Sequence, residues 1–408
     1  MNAGGREVPE PLRALNRGAP ASPPAGVAAG AMLGVLGGGQ LGRMFVHAAQ
    51  QCGYLTTVLD PDATSPAGGV AHRHMQADYL GVDGLAQMAQ TCAAVTIEFE
   101  NVPAAALEQL ALRCIVAPGA DSVRVCQDRV LEKACFTECD VPCAPHAVID
   151  SQVALEACNA GLLPGILKTA RLGYDGKGQV RVATAHALAA AWQALGRVPC
   201  VLEQQLPLAF EVSVVVARGR DGTTVHFPVQ QNLHRDGILA VTQAPAPDLP
   251  QPLQRAAVDA ATRIAGRLGH VGVLCVEFFV LQDGSLIANE MAPRPHNSAH
   301  HTIDACDLSQ FDLQLRTLVG APMVTPRQHS AAVMLNLLGD LWFRSGADPC
   351  EPRWFDVLAL RGAHLHLYGK ASARPGRKMG HLTITAPDPG AALDVARQAA
   401  ALLGMAPF

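Results

Sequence analysis

The feature that most constrains the fold is a predicted β-hairpin in the C-terminal half of the chain. Residues 271–281 form an apolar run with a single charge, Glu277, and residues 286–290 form a second run with a single charge, Glu290. The Asp-Gly dipeptide at residues 283–284 lies between the two runs and is among the strongest short hairpin signals. This pattern predicts two buried antiparallel strands, each with one carboxylate.

The expected register of the hairpin places the two carboxylates opposite each other. A turn with two central residues pairs Gln282 with Ser285, and counting outward pairs Glu277 with Glu290. At an effective dielectric of about 20, two unit charges about 5 Å apart repel by roughly 3 kcal/mol. A solvated hairpin face would tolerate this pair, but the neighbouring residues are almost all apolar. Because Mg²⁺ prefers hard oxygen ligands together with substrate phosphates, we interpret the pair as a Mg²⁺ site.

Three histidines after the hairpin suggest an alternative metal site. His296, His300 and His301 lie in a loop that prolines interrupt and that has neither cysteines nor helical ligand spacing. Structural zinc sites use closely spaced Cys and His ligands, so this pattern argues against zinc.

Composition limits the class of protein. A chain of 408 residues, 49% hydrophobic and 16% charged, can bury two or three cores. Its net charge of -4 gives no electrostatic footprint for nucleic acid or a membrane surface. No apolar run approaches the roughly 20 residues of a membrane span. The twelve cysteines form no CxxC pair, which favours reduced thiols in a cytoplasmic enzyme. Residues 1–31 are rich in Ala, Gly and Pro and are expected to be a disordered extension.

A glycine-rich turn follows the first predicted strand. Residues 32–36 lead into the sequence GGGQLG at 37–42 and then a helix, and a second strand at 55–59 ends on Asp60. This βαβ arrangement matches the dinucleotide-binding fingerprint. It leaves two alternatives open, an NAD-dependent dehydrogenase and a non-catalytic phosphate cradle. A third strand, at 94–99, carries Glu98.

A second glycine-rich loop follows a strand at 165–168 that ends on Lys168. Residues 169–179 contain three glycines, and backbone N–H groups of such a loop can approach phosphates. The Walker A pattern is absent from this loop. Further strands are predicted at 201–206, 211–217, 230–234 and 332–337, with a C-terminal hairpin at 364–370 and 377–384; helices are predicted at 121–138, 255–268, 308–318 and 391–403.

Together these features resemble the ATP-grasp superfamily, and within it the 5-(carboxyamino)imidazole ribonucleotide synthase family. The resemblance covers about residues 32–385 and rests on six motifs in the family's order: GGGQLGRM at 37–44, EFENVP at 98–103, GYDGKGQ at 173–179, NLHRDGI at 232–238, NEMAPRPHNSAH at 289–300 and RPGRKMGHL at 374–382. It implies an α/β chain with the ATP-grasp fold. A Rossmann-like pre-ATP-grasp domain would span 32–130, the ATP-grasp domain 131–325 with a flexible lid at about 140–205, and a small β-rich domain 326–408.

The resemblance also implies roles for individual residues. Residues expected to bind ATP are Arg129, Lys168, Gly173, Tyr174, Asp175, Gly176, Lys177, Gly178, Gln179, Glu203, Gln204, Gln205, Leu206, Glu211, His234, Asn289 and Glu290. Glu277 and Glu290 would hold Mg²⁺, or Mn²⁺ in its place. Residues expected around the ribonucleotide are Gln40, Leu41, Glu98, Tyr174, Asn297, Lys370, Arg377 and Lys378. Catalytic roles are expected for Lys168, Tyr174, Arg294 and Lys370.

The activity implied is ATP-dependent carboxylation of 5-aminoimidazole ribonucleotide with bicarbonate through carboxyphosphate, in a homodimeric enzyme of purine biosynthesis. In this family the N-terminal glycines contact substrate and no nicotinamide binds. The formate-dependent glycinamide ribonucleotide transformylases are the alternative, but their loop is typically PHDTG where this chain has PHNSA at 295–299. The chain departs from the family's usual residues at Ala170 and Leu172, where Arg and Gly are more common, and at Ala299, where Gly is usual.

Overall fold

The computed structural model describes residues 26–173, 176–344, 346 and 348–408. Tyr174, Asp175 and most of the predicted extension therefore lie outside the described residues. Residues 26–31, predicted to be disordered, are instead packed on the first domain. The N–H group of Val27 donates to the carbonyl of Val319 (2.8 Å), and the hydroxyl group of Tyr54 donates to the carbonyl of Val27 (2.8 Å).

The N-terminal part of the described chain is a parallel sheet covered by helices. Its strands lie in the order β3-β2-β1-β4-β5 and are β1 Met32–Leu36, β2 Leu55–Leu59, β3 Arg73–Met75, β4 Ala94–Ile97 and β5 Ile115–Val116. The helices are α1 Gln40–Gln51, α2 Val82–Thr91 and α3 Ala104–Ala111. Strands buried on both faces account for the continuous apolar runs in the sequence. The predicted βαβ unit is confirmed, although the third predicted strand ends at Ile97.

The helix predicted at 121–138 is two helices, α4 (Ala120–Cys126) and α5 (Arg129–Glu138). Asp128 interrupts it in an extended conformation, and its side chain accepts a hydrogen bond from the N–H group of Val130 (3.0 Å). An Asp at this position caps a helix and satisfies one of its free N–H groups. The cap sets the start of α5 at Arg129.

A small antiparallel sheet follows α5 and occupies the segment predicted to be a lid, which we call the lid. Its strand order is β6-β9-β7-β8, and its elements are β6 His146–Ile149, α6 Gln152–Glu156, a short 3-10 turn Ala160–Leu162, β7 Gly165–Thr169, β8 Gln179–Val182, α7 Ala185–Ala194 and β9 Cys200–Gln204. Leu167, Trp192 and Leu202 form part of its separate core. Strand β7 ends next to the glycine-rich loop, as the sequence predicted.

The second half of the chain forms a large antiparallel sheet whose strands differ in length. Its order in the described residues is β15-β14-β10-β12-β13-β16-β18-β17, with β11 paired to β10. The strands are β10 Leu208–Arg218, β11 Thr224–His226, β12 Gln230–Arg235, β13 Ile238–Ala244, β14 Gly272–Leu281, β15 Leu286–Ala292, β16 Ala331–Leu338, β17 Ala363–Leu367 and β18 Lys378–Ala386. The helices are α8 Gln251–Arg267, α9 Thr302–Ala305, α10 Gln310–Val319, α11 Trp354–Leu358 and α12 Pro389–Leu403, and 3-10 turns span Asn297–Ala299 and Gly339–Phe343.

The three C-terminal strands extend the same sheet that carries the predicted metal site. Strand β16 pairs with β13, so the predicted boundary near residue 325 does not separate two sheets. The opposite edge of the sheet is β15, and α5 packs near this edge. Among the described residues, none of the helices is long and apolar enough to cross a membrane.

Candidate active site

The hairpin pairs Glu277 with Glu290 as predicted, but by a different route. Leu281, not Gln282, faces Ser285, because the N–H of Leu281 donates to the carbonyl of Ser285 (2.9 Å) and the turn has one more residue than predicted. A β-bulge at Asn289 then adds one residue to β15 and restores the pairing. The two deviations cancel, and the bulged residue lines the cleft beside the carboxylates.

Glu277 and Glu290 differ in environment although they face each other. The side chain of Glu277 is 10% exposed, whereas that of Glu290 is 42% exposed and opens into the cleft. Burial and the neighbouring charge of Glu290 raise the pKa of Glu277 to about 8. Burial also opposes ionisation of Glu290, but the charges of Arg129 and Lys168 outweigh it and lower the pKa of Glu290. Without a cation, the pair therefore shares one negative charge near neutral pH.

Two more side chains from the same sheet face this pair. Nδ1 of His234 lies 2.7 Å from Oε2 of Glu211. Burial opposes protonation of His234, but the contact with Glu211 and the charges of Glu277 and Glu290 outweigh it and raise its pKa to about 9. Ligand atoms of Glu211, His234 and Glu277 all lie within 4.8 Å of one another. Oxygen ligands from several carboxylates are suited to Mg²⁺.

Basic side chains from α5 and the lid surround the carboxylates. Both terminal nitrogens of Arg129 lie 3.3 Å from Oε2 of Glu290. In the lid, Nζ of Lys168 donates to Oε2 of Glu203 (2.7 Å), and Nζ of the fully buried Lys133 lies 3.2 Å from Oε1 of the same carboxylate. Burial opposes ionisation of Glu203, but the charges of Lys168 and Lys133 outweigh it and lower its pKa to about 2. Glu203 thus ties the lid to α5.

The glycine-rich loop begins and ends on the lid sheet. The N–H group of Thr169 donates to the carbonyl of Gly178 (2.8 Å), which closes the loop at its base. Gly176 lies against the β12–β13 turn, where a Cβ atom would come within 3.1 Å of the carbonyl oxygen of Asp236. Leu172 has φ +61°, in the left-handed region that favours glycine. This is one of the positions where the resemblance leads us to expect Gly.

These elements enclose a cleft of about 750 Å³. Predicted site residues that line it are Arg129, Lys168, Gly173, Gly176, Lys177, Gly178, Gln179, Glu211, His234, Glu277, Asn289, Glu290, Arg294, Asn297 and Lys378. Predicted residues that do not line it are Gln40, Leu41, Glu98, Glu203, Gln204, Gln205, Leu206, Lys370 and Arg377. Gln204 donates from its side chain to the carbonyl of Gly161 (3.3 Å), and Gln205 is exposed.

The N-terminal glycine-rich turn holds protein carboxylates where a dinucleotide would bind. Oε2 of Glu98 accepts a hydrogen bond from the N–H of Gly42 (3.2 Å) at the start of α1. A Cβ atom on Gly39 would lie 2.5 Å from Oε1 of Glu98, so this close approach requires glycine. In a dinucleotide site the pyrophosphate takes this helix terminus.

The carboxylate of Asp60, which would bind a ribose hydroxyl in a dinucleotide site, instead accepts hydrogen bonds from the protein itself. Its Oδ2 accepts hydrogen bonds from the N–H of Gly38 (2.7 Å) and the hydroxyl of Tyr79 (2.6 Å). Both observations argue against the dehydrogenase alternative. The side chain of Leu41 is buried in the domain core, so at that position only the backbone can face a ligand.

The C-terminal hairpin brings two of its three predicted basic residues together. Nζ of Lys370 donates to the carbonyl of Lys378 (2.6 Å), and Lys378 lines the cleft. The guanidinium of Arg377 donates to the carbonyl of Ser372 (2.8 Å). Thr64 and, more weakly, the charge of Arg377 lower the pKa of Asp62, so Arg377 faces the loop after β2. The hairpin therefore contributes Lys378 to the cleft, and Tyr368, directly after its other strand, packs into the core of the N-terminal domain.

Among the described residues, His296, His300 and His301 do not bring their ring nitrogens together as a set of ligands. His300 and His301 are buried, and His296 lies 3.3 Å from Oε1 of Glu277. Asp304, His366 and His381 do bring possible ligand atoms within 4.8 Å of one another. However, the rings of His366 and His381 stack at 4.4 Å with 13° between their planes, so their in-plane lone pairs cannot point at one ion.

Sequence reasoning missed three charged residues that contact the site. Glu100 pairs with Arg294, and both line the cleft. Glu132 and Lys133 follow Arg129 by three and four residues on α5. That spacing places Glu132 and Lys133 on the same helix face as Arg129, but it does not show that they are buried.

The comparisons with known proteins agree with this geometry. Family models match three segments: a ribonucleotide synthetase preATP-grasp domain at 31–127, an ATP-grasp domain at 134–311 and a phosphoribosylaminoimidazole carboxylase C-terminal domain at 332–394. The N5-carboxyaminoimidazole ribonucleotide synthase of Brucella melitensis is 43% identical over 87% of this chain and 96% of its own length. The chain belongs to the N5-carboxyaminoimidazole ribonucleotide synthase family. The enzyme of the same name from Pseudomonas aeruginosa is 41% identical over 87% of this chain and 95% of its own length.

Solved structures of synthases in this family share the fold throughout. The Thermus thermophilus synthetase aligns with a TM-score of 0.83 and 38% identity, covering 92% of this chain and 100% of its own. The Aspergillus clavatus synthase, solved with ADP and 5-aminoimidazole ribonucleotide, aligns with a TM-score of 0.83 and 30% identity, covering 92% of this chain and 98% of its own. The predicted ATP-grasp fold is confirmed, and the chain is an ATP-dependent ligase of purine biosynthesis.

Proposed function

We propose that the chain uses ATP and bicarbonate to carboxylate the exocyclic amine of 5-aminoimidazole ribonucleotide. The observation that supports this most is the single cleft that joins the Glu277–Glu290 pair, the glycine-rich loop and the basic C-terminal hairpin. Such a cleft can hold a triphosphate at one end and a second anion at the other. The Aspergillus clavatus relative binds ADP and 5-aminoimidazole ribonucleotide together.

The residues present fit a divalent cation. Glu277 and Glu290 face each other in an apolar sheet, and Glu211 adds a third carboxylate nearby. We assign Mg²⁺, or Mn²⁺ in its place, to Glu277 and Glu290. When bound, the cation would neutralise charge on the transferred phosphoryl group.

The chain's own residues would position the reactants and balance their charge. Bicarbonate is a poor electrophile, so its oxygen takes the γ-phosphoryl group of ATP, which gives carboxyphosphate and ADP. The exocyclic amine then forms a C–N bond and loses a proton, either by attacking the carboxyl carbon of carboxyphosphate, from which phosphate leaves, or by attacking CO₂ that carboxyphosphate has released beside it together with phosphate. Lys168, Arg129 and the loop N–H groups would hold the phosphates, while Arg294 and Lys378 would face the carboxyphosphate end. The loop would exclude water, because carboxyphosphate hydrolyses readily.

The remaining assignments follow from the resemblance. Lys370, Arg377, Glu98 and Asn297 would surround the ribonucleotide, together with Tyr174 and the backbone of Gln40 and Leu41. Gln204, Gln205 and Leu206, at the end of β9, would contact ATP through their backbone. We also propose a homodimer in the cytoplasm, where the free thiols of this chain would stay reduced.

A coupled assay of ADP formation tests the reaction, with ATP, Mg²⁺, bicarbonate and 5-aminoimidazole ribonucleotide each omitted in turn. We expect full activity only with all four present. Activity with formate and glycinamide ribonucleotide instead would identify the transformylase alternative.

A further inference from the structure

Some backbone N–H and C=O groups next to Glu290 have side chains rather than a neighbouring strand as hydrogen-bond partners. Strand β15 is the edge of the large sheet; on its open side the N–H of Ala288 donates to the carbonyl of Pro142 (2.7 Å), and the residues after Ala288 have no strand beside them in the described chain. The bulge at Asn289 also interrupts the ladder with β14 immediately before Glu290. A metal ligand at this position could move with a slipping or fraying edge.

Two consecutive residues of α5 hold the peptide groups on both sides of Glu290. Nζ of Lys133 donates to the carbonyl oxygen of Asn289 (2.9 Å), and Oε1 of Glu132 accepts from the N–H of Met291 (2.6 Å). Glu132 is 2% exposed and Lys133 is fully buried. Because both side chains are buried and their contacts reach one residue before and one after Glu290, they fix the direction in which the Glu290 side chain leaves the strand.

We propose that Glu132 and Lys133 are positioning residues of the metal site, which hold the Glu290 carboxylate in place through the peptide groups that flank it. The proposal rests on the metal role assigned to Glu290 above. Arg129, one turn earlier on α5, contacts the carboxylate itself. Helix α5 thus holds this residue at its side chain and at both neighbouring peptides.

Lys133 also connects the metal-binding strand to the lid. The same Nζ that donates to Asn289 lies 3.2 Å from the lid carboxylate Glu203. The lid and the metal-binding strand therefore share one buried cation. A shift of the lid changes the partners of Lys133, and through Asn289 it changes the support of Glu290.

The role of Glu132 depends on an oxygen at a fixed distance rather than on charge. The N–H of Met291 needs an acceptor oxygen 2.6 Å away, which a carboxylate, a neutral carboxyl group or an amide can each supply. Two substitutions of Glu132 distinguish the effect of the oxygen's position from the effect of charge. Glu132→Gln keeps an acceptor oxygen at the same reach, whereas Glu132→Asp keeps the charge but withdraws the oxygen by one methylene.

The test measures Mn²⁺ binding in the presence of ADP, from the loss of the free-Mn²⁺ paramagnetic resonance signal, together with Tm in chelator. We expect Glu132→Gln to bind Mn²⁺ within about threefold of the wild type and Glu132→Asp to bind about tenfold more weakly, since the N–H of Met291 then loses its buried acceptor. Lys133→Met should weaken binding at least as much as Glu132→Asp. Glu138→Ala, on the same helix but paired with Arg267 at the surface, is the matched control and should bind normally.

Two outcomes would overturn the proposal. One is that Glu132→Asp binds Mn²⁺ normally while Tm falls, because Glu132 would then only cap the edge strand. The other is that Glu132→Gln loses affinity and Glu132→Asp keeps it, because charge would then be the determinant. Glu290→Gln separates this proposal from the metal assignment: if that variant binds Mn²⁺ normally, the metal role of Glu290 itself is wrong.

Discussion

Glu277 and Glu290 face each other across β14 and β15 because an extra turn residue and a bulge at Asn289 compensate each other. The bulge has a function beyond restoring the register. It turns Asn289 toward the cleft and leaves its carbonyl free for Lys133. The carboxylate pair and its support on α5 thus come from one local irregularity.

Replacing either carboxylate should stop the reaction without unfolding the chain. We expect Glu277→Gln and Glu290→Gln to lose at least about 100-fold in kcat, since a missing metal ligand removes charge stabilisation from the transferred phosphoryl group. Steady-state ADP formation at saturating Mg²⁺, with circular dichroism as the folding control, measures this. Normal turnover of both variants would show that Glu277 and Glu290 are not the metal ligands.

The raised pKa of Glu277 predicts a pH-dependent gain in stability for Glu277→Gln in chelator. In the wild type, the folded state keeps this proton up to pH about 8, whereas the unfolded chain releases it near its ordinary pKa of about 4.3. Wild-type stability therefore falls relative to the variant across that window, by about 1.4 kcal/mol for each pH unit. Urea denaturation of both proteins at pH 5, 6, 7 and 8 measures the difference, and a constant difference would contradict the raised pKa.

The same proton should compete with the cation. Metal binding requires ionised Glu277, so apparent Mn²⁺ affinity in the presence of ADP should rise about tenfold from pH 6 to pH 7 and level off above pH 8. Glu277→Gln should bind weakly with no such rise. Wild-type affinity that does not change over this range would show that Glu277 is already ionised.

Arg377→Ala should raise KM for the ribonucleotide by about 10- to 100-fold and leave KM for ATP nearly unchanged. Charge-assisted hydrogen bonds contribute roughly 1.5–3 kcal/mol, and Arg377 faces the N-terminal domain rather than the carboxylates. Arg374→Ala, an exposed residue of the same turn, is the control. Lys378 lines the cleft, so Lys378→Ala should affect both substrates. Equal losses for both substrates in Arg377→Ala would show that it does not anchor the ribonucleotide phosphate.

Leu172→Gly should favour the loop conformation seen here. A non-glycine residue at φ +61° costs about 1 kcal/mol, so removing this cost should lower KM for ATP by up to about fivefold. Leu172→Ala keeps the Cβ atom and should behave like the wild type, which makes it the matched control. An identical response of both variants would trace the effect to the exposed leucine side chain instead.

Sequence patterns predicted the fold well where local signals are strong. Apolar runs and turn residues located β1, β2, β7 and most of the large sheet, because strand burial leaves a direct trace in the sequence. The break at Asp128 has an Asp cap as its signal, but the helical periodicity on both sides obscured it. The compensating turn and bulge have no comparable signal in the sequence.

Side-chain partners were less predictable than strands. Glu132 and Lys133 look like ordinary solvated helix charges in the sequence, and only the packing of α5 on β15 shows that they are buried. The turn GGGQLG matches a dinucleotide fingerprint. However, the carboxylate of Glu98, which lies 56 residues further along the chain than Gly42, accepts a hydrogen bond at the start of the helix. Contacts of this kind are set by tertiary structure, which local patterns do not encode.

Transfer of ¹⁸O from labelled bicarbonate to phosphate tests the proposed reaction most directly. Phosphate released during ATP-dependent carboxylation of 5-aminoimidazole ribonucleotide can be examined by ³¹P nuclear magnetic resonance. We expect one ¹⁸O atom in each phosphate formed, because the bicarbonate oxygen that takes the γ-phosphoryl group leaves with it. Unlabelled phosphate, formed at the same rate as ADP, would contradict the carboxyphosphate route.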